Sequence, residues 1–181
     1  MPNLIKVFRT LPKQLFRVNN GYDVKLRPWS PHRHAFDIHV RDSRVQAKAL
    51  HPETYQAPNG ASLRPNSPYQ QLLVKKLFRG NDVIIYTIPK GAFILLLIQN
   101  PRYAVLVNAH IRSSLGTLLP DSLLLVHERS DHYSLQPARD MLLDELNEEV
   151  TNFMLSHALV FSKSQWLAAY PTATDFDGTP R

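Results

Sequence analysis

Cysteine is absent from the 181 residues, and glycine is scarce. Without cysteine, the chain has no disulfide framework, no thiolate nucleophile and no zinc site built on sulfur. Six glycines against 14 prolines favour short elements joined by stiff, extended connections. The length suits one domain with a real core, and 44% hydrophobic with 20% charged residues is typical of a folded globular protein.

Several functional signatures are also missing. The sequence has no Gly-rich phosphate loop, no His-Glu-x-x-His motif and no Gly-x-Ser-x-Gly elbow. The first ten residues lack the long apolar stretch of a signal peptide. Residues 1–22 carry cations without acids, as in a mitochondrial presequence, but Pro2 and Pro12 interrupt the helix that a presequence needs. We therefore expect action in the cytoplasm, with mitochondrial targeting as the alternative.

Residues 92–116 contain an apolar stretch unlike the rest of the chain. Its longest run, 93–98, is too short to cross a bilayer, and Pro101 and Arg102 separate it from the next apolar residues, so no membrane contact is predicted. Removing the block leaves a plain turn between two predicted strands. Two interpretations stay open: an insertion or retained intron, or a buried strand or helix native to the fold. The sequence of the mature transcript would decide between them.

Positive charge is concentrated in the N-terminal part. Residues 1–50 carry ten Lys or Arg against three Asp, whereas residues 121–158 carry eight acids against two Arg. A basic half attracts nucleic acid, an acidic membrane or a small ligand that bears phosphate. Nucleic-acid binding through residues 25–48 ranks last, because base-reading or aromatic groups are not interleaved with the charges there. A dinucleotide pyrophosphate fits the charge equally well.

Hydrophobic patterning predicts an alternation of strands and helices. Residues 51–66 resemble a loop, and residues 159–181 a C-terminal tail. A helix starts at Ser67-Pro68 and ends at Gly80, with Tyr69, Leu72, Leu73 and Leu77 on its apolar face. A second helix over 141–158 keeps Leu146, Val150 and Phe153 at helical spacing. Strands are predicted at 13–19, 35–45, 82–88, 123–127 and 132–136.

Histidines cluster in the basic region. His32, His34 and His39 lie close to Asp37 and raise the question of a metal site. A strand would place His32 and His34 on one face and His39 on the other. Solvated histidines in a basic loop are therefore the favoured interpretation, and no metal is predicted.

Four segments, taken in order, carry a family resemblance. They are Leu15-Phe16-Arg17, residues 55–62, residues 78–91, and residues 132–139 followed by a helix. This ordered set resembles the ADP-ribosyltransferase-like toxin domain of a Pseudomonas type VI secretion effector and its fungal relatives. The resemblance covers residues 13–91 and 117–155. It implies an α+β fold with a split, mostly antiparallel β core and flanking helices, forming one toxin domain over residues 1–158.

The resemblance also implies roles for particular residues. NAD would be the substrate, held in a cleft. Arg17 would grip a phosphate or ribose through its planar guanidinium, and Ser62 and Asn59 would contact the nicotinamide ribose. His132 and Tyr133 alternate across a strand, so one would face the cleft while the other packs. The alternatives without a role in function are a surface charge for Arg17 and an ordinary turn serine for Ser62.

A catalytic carboxylate is harder to place. Cleavage of the nicotinamide bond passes through an oxocarbenium-like state, which an adjacent carboxylate stabilises. Glu128 is the candidate, although the matched strand has Gln136 at the position where an acid is sought. Glu145, Glu148 and Glu149 are expected on a solvated helix face. The prediction is an NAD-binding toxin that transfers ADP-ribose to a macromolecular acceptor or hydrolyses NAD, with an immunity protein as a partner. The alternative is a catalytically inactive protein-interaction module of the same fold.

Overall fold

The computed structural model describes residues 5–32, 34–90 and 117–176, so the block 92–116 lies outside the described residues. Within this part the helices are α1 (Pro68–Leu72), α2 (Leu143–His157) and α3 (Lys163–Ala169), with a π-helical turn at Leu73–Leu77 and 3₁₀ turns at Lys48–Leu50 and Pro52–Thr54. The strands are β1 (Lys6–Phe8), β2 (Leu15–Asn20), β3 (Arg44–Val45), β4 (Ala61–Leu63), β5 (Val83–Ile88), β6 (Leu123–Arg129), β7 (His132–Pro137), β8 (Met141–Leu142) and β9 (Leu159–Ser162).

The strands form two main antiparallel sheets. One has the order β1-β6-β7-β4, the other β2-β5-β9, and β3 pairs with β8. The two main sheets meet where β2 touches the end of β4. There the N–H of Phe16 donates to the carbonyl of Arg64 at 2.7 Å, and the N–H of Arg64 donates to Phe16 at 2.9 Å. The α+β class with a mostly antiparallel core is confirmed.

Helix α2 closes the larger hydrophobic core. Leu146, Val150, Phe153 and Met154 are buried, as their spacing predicts. They join apolar side chains of β5, β6 and β7 in one continuous cluster. Since burying each such side chain contributes roughly 1.5–3 kcal/mol, this layer is a main source of stability for the sheet that carries β7.

Residues 159–176, within the predicted tail, contain a strand and a helix. β9 pairs with β5, and the helix after it begins with a capping box between Ser162 and Gln165. The fully buried Trp166 of α3 packs edge-on against Phe16 of β2, with 5.4 Å between ring centroids. The segment therefore packs directly behind the strand that carries Arg17.

The helix after Ser67 differs from its prediction. The N-cap is confirmed, since Ser67 Oγ accepts the N–H of Gln70. The predicted apolar face is wrong, because three of its side chains are exposed: Tyr69, Leu72 and Leu77. The buried face instead includes Gln71, whose amide donates to Asn66 Oδ1 and to the carbonyl of Tyr170. Satisfying these buried polar groups fixes the face that turns inward.

Two strand predictions also need correction. Residues 35–45 do not form one strand: Ile38 makes an isolated parallel bridge to Pro28, and only β3 at the end is regular. Residues 51–66, predicted as loop, contain β4, which pairs with β7. A three-residue strand is too short to show a period, which is why the pattern missed it. The consequence matters because β4 carries Ser62.

Gly60 packs too closely against β7 to tolerate a side chain. A Cβ at this position would lie 2.1 Å from the carbonyl oxygen of Leu135, a backbone atom held in the β4–β7 pairing. Gly60→Ala should therefore lower the free energy of unfolding by about 3 kcal/mol, as in severe overpacking. Gly80→Ala is the control, because its closest contact is the flexible Asp82 side chain. Equal melting temperatures for the two variants would contradict the packing argument.

Candidate active site

A cleft of about 1140 Å³ opens beside the junction of the two main sheets. Its walls include β2, β4 and the β6–β7 hairpin. Four of the predicted site residues line it: Arg17, Ser62, Glu128 and His132. They come from three separate stretches of sequence, and the fold brings them into one place. We refer to these four residues as the cleft quartet.

Arg17 is buried at the wall of the cleft, with 8% of the residue exposed. Leu15 and Arg17 share the face of β2 that packs on the larger core, whereas Phe16 packs on the opposite side. One amino group donates to the carbonyl of Ser62 at 3.1 Å, but Nε has no partner among the described residues. Burial lowers the pKa of Arg17 to about 10, although Asp37 opposes this shift. The guanidinium thus stays charged at neutral pH and incompletely paired.

The nearby carboxylate of Asp37 is already neutralised by another arginine. Arg27 donates to Asp37 from Nε at 2.8 Å and from Nη2 at 3.0 Å, and its backbone N–H adds a third bond. Burial raises the pKa of Asp37, but these bonds and the charge of Arg27 outweigh it and hold the pKa below its ordinary value. Because Asp37 is bound bidentately elsewhere, Arg17 keeps a positive charge that faces the cleft.

A β-bulge places Glu128 on the same wall as His132. His127 pairs with Tyr133 and Arg129 pairs with His132, so Glu128 is the extra residue on β6. Such bulges change the direction of a side chain and are frequent beside active sites. On β7, His132, Ser134 and Gln136 alternate onto one face, and Glu128 contacts all three.

The Glu128 carboxylate is surrounded by donors. Oε1 accepts from the hydroxyl of Tyr55, from Ser134 Oγ at 2.8 Å and from Gln136 Nε2 at 3.1 Å. Oε2 lies 2.8 Å from His132 Nδ1. Burial raises the pKa of Glu128, but His132 and the donors Tyr55 and Ser134 more than offset this, so the pKa lies below its ordinary value. Burial, followed by the charge of Glu128, raises the pKa of Tyr55. Glu128 is therefore a fixed anion at neutral pH.

Ser62 links the two ends of the quartet. Its carbonyl accepts from Arg17, and its Oγ lies 3.0 Å from His132 Nε2. Strand pairing with Ser134 of β7 fixes its backbone. An unbroken line of contacts thus runs from Arg17 through Ser62 and His132 to Glu128.

Two of the predicted contacts with NAD, Tyr133 and Asn59, lie outside the cleft lining. Tyr133 turns to the opposite face of β7, where it is 6% exposed and packs against Phe8 and His127. Strand alternation sends His132 to the cleft, which decides between the two. Asn59 is fully buried, and its amide donates to the carbonyl of Gln46 at 3.0 Å. It holds the chain before β4 and lies outside the cleft lining.

Tyr55 and Tyr69 are cleft residues that the sequence analysis did not single out. The hydroxyl of Tyr55 reaches Glu128 across 73 positions of sequence, and only its place in the 55–62 segment pointed to it. Tyr69 is half exposed at the cleft, with the guanidinium of Arg64 4.5 Å above its ring. Exposed aromatic rings of this kind can stack on a base or on a nicotinamide.

In residues 5–32, 34–90 and 117–176, no group of three or more His, Cys, Asp or Glu side chains could hold a metal ion. Within the predicted histidine cluster, His39 stacks on Trp29 with ring centroids 6.0 Å apart. Among the helices that the structure describes, none is long and apolar enough to cross a bilayer.

The depressed pKa of Glu128 predicts acid-sensitive stability. A carboxyl with a lower pKa in the folded chain contributes stability that is fully present above its ordinary pKa of 4.5 and is lost as the pH falls through the folded value. Asp37 acts in the same direction. We expect the melting temperature to fall steeply below about pH 4.5, with a shallower slope for Glu128→Gln. Identical slopes for the variant and the wild type would show that Glu128 is not held in this way.

Comparison with known proteins supplies the identity. Neither the curated proteins nor the solved structures contain a match to this chain. A family model described as Tse2 ADP-ribosyltransferase toxin matches residues 13–166. This range runs from β2 to Trp166 of α3 and includes all four residues of the cleft quartet. The split sheet, its cleft and a match over most of the sequence agree: the chain belongs to the Tse2 ADP-ribosyltransferase toxin family.

Proposed function

We propose that the cleft binds NAD and cleaves its nicotinamide glycosidic bond, passing ADP-ribose to a macromolecular acceptor or to water in the cytoplasm of a target cell. The observation that supports this best is the pairing of opposite charges in one cleft. Arg17 is a buried cation that the described residues pair incompletely, and Glu128 is a buried anion that contacts His132, which in turn contacts Ser62 beside Arg17.

Arg17 suits the pyrophosphate of a dinucleotide. Its buried guanidinium has no partner for Nε in the part of the chain that the structure describes, so it gains from an anion that supplies an acceptor. The guanidinium presents its donors in a planar fork, which matches phosphate oxygens better than an ammonium group does. The cleft volume of about 1140 Å³ slightly exceeds the usual range of small-molecule sites, which leaves room for a dinucleotide.

Glu128 suits the charge that develops on the ribose. As nicotinamide leaves with the bonding electrons, the anomeric carbon becomes positive, and a nearby fixed anion lowers the energy of that state. The pKa of Glu128 lies below its ordinary value, so the anion needs no prior deprotonation at neutral pH. Ser62 Oγ and His132 provide groups at hydrogen-bond distance from one another that can contact ribose hydroxyls.

This arrangement supports an enzyme over the inactive interaction module. The case for the module depended on the lack of an evident carboxylate, and Glu128 lines the cleft. We further propose that cells that make such a toxin protect themselves with an immunity protein. That protein and the acceptor are distinct partners, and each can be sought by its binding to the folded chain.

Expression inside a host cell tests the proposal. Wild-type chain should arrest growth and should attach label from adenine-labelled NAD to cellular macromolecules, or convert that NAD to free ADP-ribose. Arg17→Ala should do neither while remaining folded by circular dichroism. Arrest of growth by the wild type with no change in labelled NAD would favour the interaction module.

A further inference from the structure

Ser62, His132 and Glu128 stand in the order nucleophile, base and carboxylate. Ser62 Oγ lies 3.0 Å from His132 Nε2, and His132 Nδ1 lies 2.8 Å from Glu128 Oε2. A hydroxyl beside an imidazole that a third group orients is the arrangement that activates weak nucleophiles. Binding of NAD alone does not require such an order.

We call the series Ser62, His132 and Glu128 the relay, and its Glu128 end is rigidly held. The Glu128 side chain is 3% exposed and the His132 side chain 12%. Tyr55 and Ser134 hold the other carboxylate oxygen, so the carboxylate cannot turn away. His132 Nδ1 and Glu128 Oε2 are in close contact without the alignment of a hydrogen bond, and Nδ1 has no hydrogen-bond partner among the described residues. A proton on Nδ1 leaves the lone pair of Nε2 directed to Ser62.

The Ser62 end of the relay is open to a ligand. Ser62 is half-buried and lines the cleft, so its hydroxyl is both fixed and reachable. Its backbone is held from two sides, by pairing of β4 with β7 and by the bond from Arg17. A ligand phosphate bound to Arg17 would thus be held near the Ser62 hydroxyl, because Arg17 contacts Ser62 directly.

We propose that Ser62 is itself an acceptor, so that the chain ADP-ribosylates its own cleft; this inference rests on the proposed function. The bond from Ser62 Oγ to the anomeric carbon forms as the bond from that carbon to the nicotinamide nitrogen breaks. Nicotinamide leaves neutral with the electron pair. The hydroxyl proton moves to His132 Nε2, and Glu128 stabilises the resulting imidazolium.

The adduct should persist. Retaining glycosidases use a carboxylate nucleophile, which leaves readily in a second step. A serine alkoxide is a far poorer leaving group, so the acetal on Ser62 accumulates instead of turning over. Because Ser62 lines the cleft, the attached ADP-ribose occupies the site and ends further turnover. Self-modification would therefore limit the lifetime of the toxin.

Mass spectrometry tests the acceptor directly. The purified full chain, incubated with NAD, should gain one ADP-ribosyl group, and peptide fragmentation should place it on Ser62. Ser67 and Ser122 serve as internal controls, because each donates to a carboxylate, of Asp131 and Glu149 respectively, rather than contacting an imidazole. Release of nicotinamide with Ser62 unmodified overturns self-modification and leaves the proposed function standing, with water or an external hydroxyl as the acceptor.

A probe independent of NAD tests the relay itself. A fluorophosphonate, which reacts with activated serine hydroxyls, should label Ser62 and spare Ser67 and Ser122. Folded His132→Gln should lose this labelling, and Glu128→Gln should slow it at least tenfold, in line with the usual effect of general-base catalysis. Failure of the wild-type chain to label at Ser62 overturns the proposal whether or not NAD is consumed.

Discussion

Arg17→Met should weaken NAD binding by roughly 10²-fold or more while leaving the chain at least as stable as the wild type. Arg17 is 8% exposed as a residue. Among residues 5–32, 34–90 and 117–176, its guanidinium makes one hydrogen bond, to the carbonyl of Ser62, and its Nε has no partner. In the complex it would make charge-assisted bonds to phosphate, each contributing about 1.5–3 kcal/mol. Losing one or two such bonds weakens binding by roughly 10²-fold or more.

Stability should move in the opposite direction. A buried charge without full compensation is costly, as the lowered pKa of Arg17 shows. Replacing buried ionic groups by apolar groups of similar volume is often neutral or stabilises by about 1–4 kcal/mol. Calorimetric titration with NAD and thermal unfolding measure the two effects on one sample.

Arg9→Met is the matched control. Arg9 is exposed and donates to the carbonyls of Asp121 and Leu123, outside the cleft lining. Its replacement should leave NAD affinity unchanged. Arg17→Lys should recover only part of the affinity, because an ammonium cannot bind phosphate through a planar fork. A folded Arg17→Met with wild-type affinity would remove Arg17 from the site.

Glu128→Gln should slow nicotinamide release at least about 10²-fold while NAD affinity stays within roughly threefold, since removing one group that stabilises charge in the transition state commonly costs this much. The amide keeps the shape of the side chain but removes the negative charge. Ser134 and Gln136, which donate to the carboxylate in the wild type, face a neutral amide in the variant, so some loss of stability accompanies the loss of rate. Glu128→Ala is a poorer test, because it leaves several buried donors unpaired.

Glu148→Gln provides the comparison. Glu148 is exposed on α2, where it matches the prediction of a solvated face. Its replacement changes the net charge by the same amount without touching the cleft. Nicotinamide release, measured by chromatography under saturating NAD, separates the two variants. Equal rates for Glu128→Gln and the wild type would mean that the carboxylate of this cleft takes no part in the chemistry.

Much of the fold could be predicted because its main strands and its longest helix contain enough residues for the apolar positions to show a regular period. β2, β5, β6, β7 and α2 all follow their apolar patterns. The short elements could not be predicted in this way. The three residues of β4 are too few to establish an alternation. The face of α1 is set by hydrogen bonds from Gln71 to the nearby Asn66 and to Tyr170, which lies 99 positions away in the sequence.

The candidate site, like the fold, could be predicted from the sequence only in part. The resemblance pointed to Arg17, Ser62 and His132 as a set, and the structure brings them together. Which of His132 and Tyr133 faces the cleft depended on the register of β7, and the position of Glu128 depended on a bulge. The bulge lies beside a turn in which Ser130 adopts a φ of 38°, a local geometry that residue patterns do not specify. Long-range contacts such as Tyr55 to Glu128 emerge only when the sheets are assembled.

The central claim is that the cleft quartet cleaves the nicotinamide bond of NAD. Proton NMR of NAD incubated with the purified 181-residue chain monitors that bond directly, because free nicotinamide and nicotinamide still attached to ribose have distinct ring signals. We predict that free nicotinamide accumulates with the wild type and at least about 10²-fold more slowly with Arg17→Met or Glu128→Gln. A folded wild-type chain that arrests growth in cells but leaves NAD intact over the same period would contradict the account.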